Sequence, residues 1–129
     1  MLVTQNALNA QAMGKGSDVV VLVHGFGSDQ RVWDSYVPWL SRYCRVIVYD
    51  LPFSGDADPA YFEVRRHGSI DGNAQDLLDI LHSFGVERCS LIGHSLGGLI
   101  GLFAAIERPH LFEQLILLGT SGRYLDGPG

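Results

Sequence analysis

Gly93-His94-Ser95-Leu96-Gly97 is the stretch of this sequence best suited to covalent chemistry. A serine on a sharp turn between a strand and a helix projects its hydroxyl above the sheet. The crowding of such a turn calls for small residues on either side, here Gly93 and Gly97. The incoming helix also points its amino end at the reaction centre, with unsatisfied N–H groups and partial positive charge. Three fixed positions in five recur by chance in a chain with 16 glycines. The apolar strand before Ser95 and the helix after it are what separate this turn from a plain glycine turn.

His24-Gly25-Phe26-Gly27 is the second such stretch, closing an apolar run at 19–23. A serine that attacks an acyl carbon creates an oxyanion, which preorganised donors must stabilise. The backbone N–H groups of Phe26 and Leu96 are the natural pair. His24 is expected to hold its loop rather than act as a base, and His94 to pack beside the serine. His67, His82 and His110 read as surface or loop histidines, and their spacing fits no metal site. No cofactor is implied. Asp50, Asp56 and Asp58 follow the second predicted strand, where turn and capping roles are commoner than catalysis. Phe26, Trp33, Phe53, Tyr61 and Phe62 are candidates to line an apolar pocket, although core packing explains Trp33 equally well.

The elements that must position these residues alternate between two periods. Residues 19–23, 45–49, 89–92 and 115–118 are short apolar runs of the kind buried on both faces of a sheet. After the first, Asp29 offers an N-cap to a helix whose apolar positions are Val32, Trp33, Tyr36, Val37 and Leu40, and Pro38 is expected to end or kink it. Residues 53–69 read as loop with room for a helical turn. From Asp71 a clearer helix carries Ala74, Leu77, Leu78, Leu81 and Phe84 in one stripe, with Gly85 as its C-cap. Residues 96–107 form a third helix, stopped at Pro109. This alternation predicts an α/β fold, a parallel sheet with helices on both faces, because parallel strands need crossover connections. Sites in such sheets form at the carboxyl ends of the strands.

Composition bounds the remaining possibilities. The 129 residues are 47% apolar and 18% charged, which suits one folded domain. A net charge of −5 gives nucleic acid little to bind, and no basic run suggests a membrane surface. Residues 1–18 are set apart as a polar N-terminal segment with no signal-peptide pattern, and no apolar run is long enough to span a bilayer. Cys44 and Cys89 read as two buried free thiols, so a cytoplasmic location is expected.

Five stretches, VLVHGFGSDQRVW, RVIVYDLPFSG, DGNAQDLLDIL, LIGHSLGGLIG and LGTSGRYLD, together resemble one branch of the α/β-hydrolase superfamily. That branch holds a bacterial stress-pathway hydrolase and the plant strigolactone and karrikin receptors. The resemblance implies Ser95 as nucleophile, Phe26 and Leu96 as oxyanion-hole donors, and His24, Gly25, Gly27, Gly93, His94 and Gly97 as loop and pocket support. It also implies cofactor-free hydrolysis of small esters or lactones, with members that act as sensors through a partner protein.

The superfamily's chain order is Ser, then acid, then His. The acids after Ser95 are Glu107, Glu113 and Asp126, and the one histidine is His110; none stands at a plausible triad position. The sequence therefore reads as an N-terminal portion, with a core over 19–122 and a tail over 123–129 where a lid would begin. A serine without its base is a poor nucleophile, so this chain alone is expected to be inactive or very weak. The strand at 115–118 would be left as an open edge, which invites a homodimer or a complementing C-terminal chain. Two other readings stay open: a non-catalytic ligand sensor or partner-binding module, and a truncated or engineered folding module.

Overall fold

Val19–Val23 is apolar at all five positions because both faces of its strand are covered. Val21 and Val23 point to one face, Leu22 to the other, and all three are buried. In the computed structural model, which describes residues 2–120, this strand (β2) lies in the middle of a five-stranded sheet. The others are β1 (Gln11–Met13), β3 (Arg45–Val48), β4 (Cys89–His94) and β5 (Phe112–Leu118), in the order β1-β3-β2-β4-β5. Val21 stands in register with Ile47 on one side and Leu91 on the other, both pairings parallel. The chain steps from β2 outward to β3, then crosses back over β2 to β4. The carboxyl ends of β2 and β4 therefore form the point where the strand order reverses, and a crevice opens at such points.

The helices are α1 (Leu2–Ala7), α2 (Val37–Leu40), α3 (Val64–His67), α4 (Ile70–Ser83) and α5 (Leu96–Glu107). One face of the sheet packs Val21, Val23, Ile47 and Leu91 against Leu77, Ile80 and Leu81 of α4 and Ile100 of α5. Each of these fully buried aliphatic side chains contributes about 1.5–3 kcal/mol. On the other face Leu22, Val46 and Val48 meet Trp33 and Cys44, with Val37 and Leu40 of α2 against them. Helix α4 starts where Ser69 caps the N–H of Gly72 (3.3 Å) and stops at Gly85, whose φ of 72° ends the helix after Phe84.

The sheet is mixed rather than purely parallel. Gln11–Met13 pairs antiparallel with β3, so the polar N-terminal segment contributes an edge strand to the sheet. Three residues with one large apolar side chain show no alternation, which is why the sequence does not reveal them. The helix expected after Asp29 is two pieces, a 3-10 turn over Gln30–Trp33 and then α2. Pro38 lies in the first turn of α2, where its missing N–H costs nothing. Residues 53–69 contain two helical turns, Pro59–Tyr61 and α3. Strand β5 begins at Phe112, three residues before the expected start. Among the described residues β5 is the sheet's other edge, and Ile116, Leu117 and Leu118 are exposed along it. Asp126 and the tail over 123–129 lie outside the described residues.

Candidate active site

Ser95 joins β4 to α5 with φ 58° and ψ −121°, a conformation that costs an L-residue of order 1–3 kcal/mol. The surrounding packing holds it there. Its N–H donates to the carbonyl of Leu118 at the end of β5 (2.8 Å). A Cβ on Gly97 would collide with the carbonyl oxygens of Val23 and His24, so α5 lies directly against the end of β2. A Cβ on Gly93 would meet Gly98 in the same way. Gly25 sits against the nucleophile candidate itself: an added Cβ would lie 2.9 Å from the Cβ of Ser95 and 3.0 Å from the carbonyl of His94. The two motifs, 70 residues apart in sequence, thus meet at the switch point of the sheet.

His24 is buried, and both its ring nitrogens are engaged. Nε2 accepts the N–H of Leu51 (2.9 Å) and lies 3.2 Å from the hydroxyl of Ser54. A backbone N–H can only donate, so Nδ1 carries the ring proton and donates it to the carbonyl of Gly25 at 2.7 Å. Burial lowers the pKa of His24 against the opposing bond to Gly25, which keeps the ring neutral. The Gly25 carbonyl accepts further bonds from the N–H (3.3 Å) and hydroxyl (3.1 Å) of Ser28. In a trans peptide the C=O and N–H point in opposite directions. Fixing the Gly25 carbonyl on one side therefore fixes the direction of the Phe26 N–H on the other. Gly27, at φ 81°, turns the chain back after it.

Asp50, at the end of β3, is buried and organises the neighbouring loops. Its carboxylate accepts the N–H groups of Gln30 and Asp56, each at 2.9 Å, and the side-chain amide of Asn9 at 3.4 Å. Asp58 caps the 3-10 turn that follows. The loop so fixed carries Phe53 at φ 61°, a strained value for a bulky residue. Phe53 meets Phe26 edge to face (6.2 Å between centroids) and Phe62 likewise (4.9 Å), and Phe62 stacks on His67 at 5.8 Å. This aromatic row is open to solvent: Phe26 is 72% exposed and Phe53 51%. A cleft of about 320 Å³ lies between them, floored by His24 and Leu51. Trp33 packs on the opposite face of the sheet and lines a separate apolar groove there. His94 is exposed, beside an apolar groove that includes Trp39, Ile116 and Leu118.

His67 is not a surface histidine. Its side chain is 1% exposed and its Nε2 lies 2.8 Å from Asp76. Asp76 also accepts from the Tyr61 hydroxyl (2.8 Å) and from Nη2 (2.6 Å) and Nε (3.0 Å) of Arg66. Nδ1 of His67 accepts the N–H of Glu63 at 2.9 Å, so the ring has no nitrogen left to serve as a base. The network anchors the segment that presents Phe62. Spacing alone gives no sign of it, because Asp76 is one of three acids on α4, with Asp71 and Asp79, and nothing in the sequence marks it as the buried one.

A description of the alpha/beta hydrolase fold matches residues 18–128. The chain belongs to the α/β-hydrolase fold family. It is 42% identical to the strigolactone esterase D14 of Arabidopsis thaliana over 120 residues, which are 93% of this chain and 45% of that protein. It is 41% identical to the Karrikin insensitive 2 receptor B of Petunia hybrida, over 98% of this chain and 46% of that protein. Among solved structures, the hydrolase olei00960 from Oleispira antarctica superposes with a TM-score of 0.89 at 30% identity, covering 98% of this chain and 46% of that one. The chain therefore spans just under half the length of these α/β-hydrolase relatives.

Proposed function

We propose that this chain carries the nucleophile and the oxyanion hole of a serine hydrolase for small esters or lactones. The observation that supports this most directly is the contact between Gly25 and Ser95. In this reading the Phe26 N–H and the amino end of α5, whose first residue is Leu96, serve one hydroxyl. The Ser95 hydroxyl attacks the substrate carbonyl, and charge moves to the carbonyl oxygen, facing the two N–H groups. Collapse expels the alcohol and leaves an acyl-serine, which water then hydrolyses.

The hydroxyl proton needs a base, and neither His24 nor His67 has a nitrogen to offer. In this reading an acid and a base from outside the described residues would complete the triad. The exposed edge of β5, with Ile116, Leu117 and Leu118, is where a further strand of this chain, a second copy or a complementing chain would add. The aromatic row of Phe26, Phe53 and Phe62 gives an apolar ligand a surface to lie on. No helix among the described residues is long and apolar enough to cross a membrane. The buried free thiols Cys44 and Cys89 suit a reducing cytoplasm.

A non-catalytic sensor is the second reading, supported by relatives whose names include a karrikin receptor. Intact-mass analysis after exposure to a fluorophosphonate and an aryl ester, with Ser95→Ala as control, separates the two. A Ser95 adduct with ester turnover supports the hydrolase. Binding of a small lactone that survives Ser95→Ala supports the sensor, whereas a missing adduct alone is also what a serine without its base gives.

A further inference from the structure

The two expected oxyanion donors are held by the same device. For Phe26, His24 and Ser28 bind the carbonyl at the far end of its peptide, on Gly25. For Leu96, that carbonyl belongs to Ser95. It accepts the N–H of Gly98 at 3.1 Å and, more weakly, of Leu99 at 3.4 Å, the bonds of a helix's first turn. Its shortest bond comes from elsewhere: the hydroxyl of Thr120, just beyond β5, donates to it at 2.8 Å.

We infer that Thr120 is a positioning residue that sets the direction of the Leu96 N–H by holding the Ser95 carbonyl. This rests on the hydrolase reading of Ser95 and Leu96. The geometry around Thr120 supports the assignment independently. Ser95 is tied to the β5 end twice, by its own N–H to Leu118 and by its carbonyl to Thr120. Gly98 leaves the room that the Thr120 hydroxyl occupies, since a Cβ at Gly98 would collide with that oxygen. The backbone of Ser95 is strained at φ 58°, and the first-turn bonds from Gly98 and Leu99 come from its own helix. A bond from a separate strand blocks rotation of the Ser95–Leu96 peptide without filling the space in front of the N–H. Thr120 touches no reacting atom in this scheme.

The test compares Thr120→Ala, Thr120→Ser and the unmodified chain by residual dipolar couplings of the backbone N–H groups and by amide hydrogen exchange. Thr120→Ala is expected to change the Leu96 coupling and to speed exchange at Ser95 and Gly98 by roughly three- to tenfold. Couplings in β2 and β3 should stay as they are, and Thr120→Ser should restore both readings. An unchanged Leu96 coupling in Thr120→Ala overturns the inference. So does a Thr120→Ser variant that behaves like Thr120→Ala, or faster exchange spread evenly along β5, which marks only an anchor for the strand end. Fluorophosphonate labelling runs in parallel. An adduct on Ser95 supports the hydrolase reading, its absence is what a serine without its base gives, and in either case the coupling of Leu96 decides the role of Thr120.

Discussion

Gly25 packs directly against the Cβ of Ser95, and this contact joins the two motifs into one site. A methyl group at Gly25 would meet Ser95 at 2.9 Å and the His94 carbonyl at 3.0 Å, and neither is a flexible side-chain end that can swing aside. Gly25→Ala should therefore push the Phe26 loop away from the elbow. The expected cost is about 1–3 kcal/mol in denaturant unfolding, with fluorophosphonate labelling of Ser95 slowed far more than stability alone explains. Labelling at the unmodified rate would mean that the loop does not help to build the site.

Acid should weaken the fold through His24. Burial lowers its folded pKa below the ordinary value of 6.5, so the unfolded chain takes up a proton that the folded chain refuses. Stability is then fully present above 6.5 and falls as pH drops below it, until the folded pKa is reached; each unit between the two values contributes about 1.4 kcal/mol. Chemical unfolding followed from pH 8 to pH 5 should show this slope. His24→Asn should flatten it, at a lower stability throughout. A slope that survives the substitution would assign it to another group.

The fold was largely legible because buried parallel strands and amphipathic helices write their periods into the sequence. Residues 19–23 and the stripe from Ala74 to Phe84 needed no tertiary information. The elbow was equally plain, since Gly93, Ser95 and Gly97 are fixed by crowding within a few residues. What stayed hidden is what depends on distant partners. Gln11–Met13 is a strand only because β3 offers it an edge. His67 looked like a loop histidine because Asp76 is nine residues away on another helix. Thr120 gave no signal at all, since its one notable bond reaches back 25 residues to Ser95.

Removing the Asp76 carboxylate should be the most damaging of the single changes considered. It accepts from Tyr61, Arg66 and His67, and its side chain is 1% exposed. Asp76→Ala leaves the buried His67 without its acceptor and takes one partner from the half-buried Tyr61 and Arg66, and breaking a buried pair from one side costs about 3–5 kcal/mol. Equilibrium unfolding measures this directly. Asp76→Asn, which keeps an acceptor oxygen, should lose less. A cost below 1 kcal/mol for the alanine variant would show that the segment around Phe62 is held by other contacts.

Phe53 should respond in the opposite sense. Its φ of 61° is strained, its ring is half exposed, and its partners Phe26 and Phe62 are themselves on the surface. Phe53→Gly relieves a strain of order 1–3 kcal/mol but adds about 0.5–1 kcal/mol of unfolded-state entropy and loses ring contacts. The unfolding midpoint should change little. Binding of an aryl ester or aryl phosphonate should weaken, because one wall of the cleft is gone. A large fall in stability would place Phe53 among the packing residues instead.

Gly98 and Thr120 supply the sharpest test, because two opposing effects meet at one position. Within a helix, alanine is favoured over glycine by about 1 kcal/mol, and Gly98 lies in the first turn of α5. A Cβ there, however, strikes the Thr120 hydroxyl. Gly98→Ala alone should therefore destabilise the chain, since the hydroxyl must leave the Ser95 carbonyl and strand β5 must shift. In a Thr120→Ala background the obstructing oxygen is absent, and the Cβ at position 120 (3.0 Å) and the Gly93 carbonyl oxygen (3.3 Å) are what the new methyl group meets. The same substitution should then be close to neutral. The double-mutant cycle is expected to show a coupling of about 1–2 kcal/mol, within the range for residues in contact. Additive effects would mean that α5 and β5 yield to one another freely, and the Ser95 carbonyl would then be no better fixed than its own helix can hold it.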